Sequence, residues 1–211
     1  NINKIKNIVK FSKTNEIKIG YKFGLEFFNS KFGRIYISKF KSKNSIWLDL
    51  KLNDIPNTVA SSIYALRDLK NLEYITVHVS GGLEMLIRAK KMAKKINNKL
   101  KILGVTVLTS FSEKSLKQIG HTKKIAQIVK EQAKLARKSK LDGIICSGHE
   151  VRLVKQICKN MEIITPGIRL PGDIKQDQKR VMTPKQAFTA GATSIVIGRS
   201  ITRGRIKNNI Q

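Results

Sequence analysis

Two carboxylates and a lysine stand close together in Asp49-Leu50-Lys51-Leu52-Asn53-Asp54, and Ile55-Pro56-Asn57-Thr58 follows at once. Acids on either side of an ammonium can hold it charged and in place, ready to give up a proton as a general acid. Residues 46–51 read as a buried strand. Side chains alternate along a strand, so Asp49 and Lys51 share one face while Leu48 and Leu50 share the other. Charge in a strand interior is costly unless it pairs or meets a polar cavity. Asp54 falls just past the strand, where the chain turns ahead of Pro56. A structural salt bridge on an edge strand would account for a bare Asp-x-Lys; the longer run with its Ile-Pro-Asn-Thr tail is more specific.

Other residues could bind an anion. Gly198 and Arg199 follow the apolar run 194–197. Glycine lets backbone N–H groups approach a phosphate, and arginine grips it bidentately. Arg169 and Gln178 flank a segment that holds Pro171 and Gly172. Lys18 lies at the end of the stretch 16–19, in Ile17-Lys18-Ile19-Gly20; it reads either as one more surface lysine or as a strand-end residue facing a site. Thr109 follows the strand at 101–107, with Ser110 one position on. Ile55 reads equally as a core residue under a loop or as the wall of an apolar pocket. His78 reads first as a structural histidine.

The elements that must position these residues alternate. Strand-like runs fall at 16–19, 46–51, 74–78, 101–107, 143–146, 162–165 and 194–197, with helical stretches at 56–69, 83–96, 123–138 and 150–159. In 123–138 the apolar residues Ile125, Ile128, Val129, Ala133, Leu135 and Ala136 come close to a helical stripe. This βαβα rhythm predicts an α/β fold with a parallel sheet covered by helices. No repeat, linker or composition break divides it, so residues 1–211 are expected to form a single (β/α) barrel domain. Active sites of such barrels sit at the carboxyl ends of the strands, where every motif above falls.

Three runs resemble the orotidine 5'-phosphate decarboxylase family of bacterial type. They are Asp49 to Thr58; Thr165-Pro166-Gly167-Ile168-Arg169 with Gly172, Asp177-Gln178-Lys179-Arg180 and Thr183-Pro184; and Ile195-Val196-Ile197-Gly198-Arg199-Ser200-Ile201-Thr202. The resemblance covers essentially the whole chain. It implies a lyase that converts orotidine 5'-phosphate to uridine 5'-phosphate in pyrimidine biosynthesis. No cluster of His, Cys or carboxylates has metal spacing and no dinucleotide fingerprint follows the early strands, so neither cofactor nor metal is expected. By that resemblance Lys51 protonates C6, and Asp49 stands near the departing carboxylate. Lys18 contacts the ribose hydroxyls, Ile55 lines the pocket beside that carboxylate, and Thr109 bonds the pyrimidine. Arg169, Gln178, Gly198 and Arg199 hold the phosphate, two of them on a closing lid. Asp54 and Thr58 reach into the site of a neighbouring subunit, which implies a homodimer. The fold implied is a TIM (β/α)8 barrel. Seven strands are visible here, so the expectation is an incomplete barrel that lacks the family's first strand, with its ribose-binding aspartate, and the end of the last helix.

Bulk properties bound the alternatives. The chain has 211 residues, 41% of them hydrophobic, enough for one sizeable core. No run of residues is long and apolar enough for a bilayer, so no membrane partner is expected. Cys146 and Cys158 lack metal-ligand spacing or a disulfide framework, which points to a reducing, cytoplasmic setting. Lysine and arginine number 42 against 14 acids, a net charge of +28. The excess is spread along the chain, so nucleic acid retention is expected to be unspecific and to fade steeply with salt. Two other readings stay open. One is a Mg²⁺-dependent sugar-phosphate decarboxylase or aldolase resembling 3-hexulose-6-phosphate synthase; the other is an inactive, basic nucleic-acid-binding remnant.

Overall fold

Each of seven strands pairs in parallel with its neighbour in sequence: β1 (Gly20–Gly24), β2 (Ser45–Leu52), β3 (Leu72–His78), β4 (Lys101–Val105), β5 (Gly143–Ile145), β6 (Glu162–Thr165) and β7 (Ser194–Ile195). The computed structural model describes residues 2–170, 180–202, 204 and 206–210. Parallel neighbours need crossovers, and helices supply them. Helix α1 (Ile2–Phe11) precedes β1, and α2 (Leu25–Phe28) and α3 (Gly33–Lys39) lead to β2. Helix α4 (Pro56–Tyr64) leads to β3, α5 (Gly82–Ile96) to β4, and α6 (Glu113–Gln118) with α7 (Ile125–Lys138) to β5. Helix α8 (Val151–Ile157) leads to β6 and α9 (Pro184–Ala190) to β7, with α10 (Arg199–Thr202) and α11 (Ile206–Ile210) last. This is the α/β alternation of a TIM-type barrel, with seven strands among the described residues. The sheet runs from β1 to β7, and α1 packs against α11.

Alternation along the strands makes two cores. Ile46, Leu48, Ile75, Val77, Ile102, Ile144 and Ile163 face outward and join one large cluster with the helices. Against them α5 lays Met85, Leu86, Ala89 and Ala93, and α7 lays Ile128, Val129, Ala133 and Ala136, in steps of one, three and four residues. The layers meet closely at Gly104, where a Cβ would stand 2.8 Å from Val79 Cγ2 and 2.9 Å from Leu141 Cδ1. A second, smaller cluster fills the inside of the sheet: Leu103, Val105, Ile145 and Ile164, with Trp47, Tyr74, Leu108 and Val196 against them. It forms the apolar floor beneath the carboxyl ends of the strands.

The first strand departs from the sequence reading. It begins at Gly20, not at residue 16. Both Ile17-Lys18-Ile19 and Tyr21-Lys22-Phe23 alternate, but the aromatic pair wins the burial. Tyr21 and Phe23 are 9% and 5% exposed, while Ile17 is 67% exposed. Phe40 meets both rings edge-on, at 5.8 Å from Tyr21 and 5.6 Å from Phe23. Aromatic side chains bury more area than isoleucine and add ring–ring attraction. Among the described residues no helix is long and apolar enough to cross a membrane.

Candidate active site

β2 carries the centre of the site. Asp49 points to the inner face and is 7% exposed. Its Oδ2 accepts from Lys22 Nζ at 2.8 Å, and its Oδ1 from Lys51 Nζ at 2.9 Å. Thr76 Oγ1, from β3, donates to the same Oδ1 at 3.0 Å. Burial alone would raise the Asp49 pKa, but the two ammonium groups outweigh it and hold the carboxyl below its ordinary value. His78, at the end of β3, is half-buried. Burial, and then the charge of Lys51, depress its pKa, which favours the neutral ring.

The faces alternate as the sequence reads, with Leu48 and Leu50 outside and Asp49 and Lys51 inside, but the regular strand backbone breaks at Lys51. Its φ is +48°, in the left-handed region that side chains with a Cβ seldom enter. Leu48 pairs with Ile75 and Leu52 with Val77, so residues 49–51 face Thr76 alone. This is a bulge, a device that bends a strand end and re-aims side chains. It keeps Lys51 Nζ on the inner face beside Asp49.

Above the apolar floor opens a cavity of about 370 Å³, within the usual size of small-molecule sites. β1 and β2 give it Lys22, Trp47, Asp49 and Lys51; the loop after β4 gives Leu108, Thr109 and Ser110. The segment after β6 gives Pro166, Gly167 and Arg169, and the turn after β7 gives Gly198 and Arg199. Among the described residues four cationic side chains thus line it against one carboxylate, which suits an anionic ligand. Arg169 is 8% exposed, and its Nη2 is buried without a hydrogen-bond partner among the described residues. Gly167, at φ +77°, makes the turn that a residue with a Cβ would enter only under strain. A Cβ at Gly198 would meet nothing within 4 Å, so its backbone borders open space. Behind the lining, Arg180 donates to Glu150 Oε1 at 2.5 Å and to the carbonyls of Val107 and Leu108 at 3.4 and 3.3 Å. That ties it to the loop carrying Thr109. Burial raises the Glu150 pKa against the pull of Arg180.

Of the residues picked from the sequence, Asp49, Lys51, Thr109, Arg169, Gly198 and Arg199 come together at this cavity. Gln178 lies outside the described residues. Asp54, Ile55 and Thr58 do not line the cavity; all three are exposed, at and just before the start of α4. Asp54 Oδ1 accepts from the Ile55 N–H at 2.6 Å. Lys18 is a correction. It stands before β1, at the opposite end of the strands, and its Nζ is 3.6 Å from Glu73. Glu73, Lys101, Glu162 and Tyr74 form a separate charged layer there, with Lys101 Nζ 2.6 Å from Glu162 Oε1. Lys22, not Lys18, lines the cavity and meets Asp49, because the strand starts at Gly20 and not at residue 16. The signal for it was present: a lysine between two aromatic residues in period two. Thr76 was also missed, since a threonine in a strand announces nothing.

A family profile described as "Orotidine 5'-phosphate decarboxylase / HUMPS family" matches residues 6–208. The chain belongs to that family. Within the orotidine 5'-phosphate decarboxylase / HUMPS family, a protein named orotidine 5'-phosphate decarboxylase from Wolbachia sp. subsp. Brugia malayi (strain TRS) is 43% identical over 203 residues, 95% of this chain and 88% of that protein. One of the same name from Legionella pneumophila (strain Lens) is 46% identical over 160 residues, 75% of this chain and 69% of that protein. A crystal structure of orotidine 5'-phosphate decarboxylase from Lactobacillus acidophilus superimposes with a TM-score of 0.81 at 33% identity, covering 99% of this chain and 90% of that one.

Proposed function

We propose that this chain decarboxylates orotidine 5'-phosphate to uridine 5'-phosphate. The observation that carries the reading is the buried Asp49 carboxylate held between Lys22 and Lys51 at the mouth of a cation-rich cavity, in a chain whose relatives bear the name of that activity. The bond from C6 to the carboxylate breaks, CO₂ leaves, and the electron pair stays on C6. Lys51 Nζ supplies the proton that C6 takes, and solvent restores it. Asp49 keeps Lys51 aimed and stands where the leaving carboxylate departs. Lys22, in the place first given to Lys18, takes the ribose side of the network. Thr109 holds the pyrimidine; Arg169, Gln178, Gly198 and Arg199 take the phosphate. Grip on that remote group lowers the barrier at C6 if it helps assemble the charges.

We further propose a homodimer. Ile55 is 67% exposed beside Asp54 and Thr58, a combination suited to a face that a second copy covers. There Asp54 and Thr58 would complete the partner's site, and Ile55 would wall it. On this reading residues 1–211 act as a single barrel domain in the cytoplasm, with no specific nucleic acid partner. The Mg²⁺-dependent sugar-phosphate reading is not favoured, because relatives at 43% and 46% identity are named as the decarboxylase.

The test is direct: the purified chain is given orotidine 5'-phosphate, and CO₂ release is followed with and without EDTA. Equal rates in both are expected. Activity lost on chelation and restored by Mg²⁺ would overturn the metal-free reading, and no CO₂ from this substrate would overturn the proposed function. In the same assay Lys22→Ala is expected to cut kcat/KM about a hundredfold. Lys18→Ala should stay within about twofold, as befits a pair at the exposed edge of the sheet. The reverse order would restore Lys18 to the site.

A further inference from the structure

We propose that Thr76 is the positioning residue of the site, whose hydroxyl holds both the backbone of the proton donor and the carboxylate beside it. This deepens the decarboxylase reading and rests on it. Thr76 is fully buried, between Ile75 and Val77, which are equally buried. Its neighbours serve the outer core; its own side chain turns inward and meets the site.

The hydroxyl uses its hydrogen-bonding capacity on two groups. It accepts from the Lys51 backbone N–H at 2.8 Å and donates to Asp49 Oδ1 at 3.0 Å. The first bond replaces one that the bulge removes. Residues 49–51 face Thr76 alone, so the ladder offers the Lys51 N–H no regular partner. A non-glycine residue at φ +48° is strained and persists only where its surroundings hold it. The second bond sets the carboxylate. Oδ1 accepts from Thr76 and from Lys51 Nζ while Oδ2 accepts from Lys22, so rotating the carboxylate breaks contacts on both sides. One side chain therefore fixes the main chain of Lys51 and the anion that aims its ammonium. Neither serine nor threonine would be needed for strand formation alone; valine forms strands as well.

Thr76→Val keeps the shape and deletes the hydroxyl, and Thr76→Ser keeps the hydroxyl and deletes the methyl. Misplacing a reacting group by about 1 Å can cost about a hundredfold in rate. Thr76→Val is therefore expected to lower kcat on orotidine 5'-phosphate about 10–100-fold with KM within about threefold. Thr76→Ser should recover kcat to within about threefold of wild type. Loss of activity in both variants would overturn the proposal, since the methyl would then matter. So would wild-type kcat in a folded Thr76→Val, or a change in KM alone. If Thr76→Val does not fold, as judged by circular dichroism, Thr76→Ser decides: retained kcat supports the proposal and a tenfold loss overturns it. If the wild-type chain itself releases no CO₂, the functional reading fails and crystal structures decide this one. Lys51 leaving the left-handed region in Thr76→Val would support it, and an unchanged Lys51 would overturn it.

Discussion

Lys51→Ala is expected to lower kcat for orotidine 5'-phosphate at least about a thousandfold while uridine 5'-phosphate still binds within about threefold of wild type. The split follows from what Lys51 touches. Its Nζ bonds only to Asp49 Oδ1 among the described residues, while the other cations lining the cavity stand on other elements. Removing it deletes the proton donor and leaves Arg169, Gly198 and Arg199 in place for the phosphate. Lys22 also stays, 2.8 Å from Asp49 Oδ2, so the buried carboxylate keeps a counter-ion and the chain should fold. Alanine at φ +48° is strained as lysine is, and the Thr76 bond to the backbone N–H is unaffected. Calorimetric titration with uridine 5'-phosphate, beside CO₂ release, reads both halves. An alanine variant that still turned over within tenfold of wild type would take the proton from somewhere else. Lost affinity with little lost kcat would make Lys51 a ligand for the nucleotide, not the acid.

What could be read from the residues and what could not divides along physical lines. The interior strands were legible because each is an apolar run bounded by polar turns. Glu162–Thr165 agrees at both ends, and β2 extends residues 46–51 by only one residue at each end. The inner and outer faces of β2 were legible too, since Asp49 against Leu48 and Leu50 leaves one choice of register. β1 was not, because two overlapping stretches alternate and only packing against Phe40 and its neighbours decides between them. The error carried straight into the site, exchanging Lys22 for Lys18.

The bulge was invisible for a different reason. Leu50-Lys51-Leu52 continues the period of the strand without glycine or proline, so nothing local reports the left-handed turn at Lys51. It is imposed from the neighbouring strand, through a hydroxyl that in the sequence is an ordinary β-branched residue. That Gly198 and Arg199 would line the cavity was legible because glycine and arginine after a strand have a plain chemical use. Asp54, Ile55 and Thr58 were legible as a pattern, yet a single chain turns them to the outside of the first turn of α4. Their use then belongs to the proposed second copy and not to this cavity.

Asp49→Asn is the second substitution expected to have a large effect, and it acts on stability as well as rate. The amide keeps the size of the side chain and removes its charge, which leaves Lys22 and Lys51 as like charges around one neutral group. Breaking a fully buried pair costs about 3–5 kcal/mol. Here Lys22 and Lys51 keep 31% and 32% of their side chains in solvent, so about 2 kcal/mol is expected. Loss of the aimed charge should lower kcat about 10²–10³-fold. The pH dependence separates this from a packing defect. The Asp49 carboxyl is held below its ordinary value in the fold, because two lysines outweigh the effect of burial. A depressed folded value means stability that is present above the unfolded pKa, near 4, and lost as the pH falls through the folded value. Wild type should therefore shed this contribution below about pH 4, and Asp49→Asn should have none to shed. Urea midpoints for the two proteins should differ most at pH 7 and draw together as the pH falls below about 4. A gap that stayed constant across that range would mean that the asparagine merely fits badly. It would also remove the charge array on which the proposed chemistry depends.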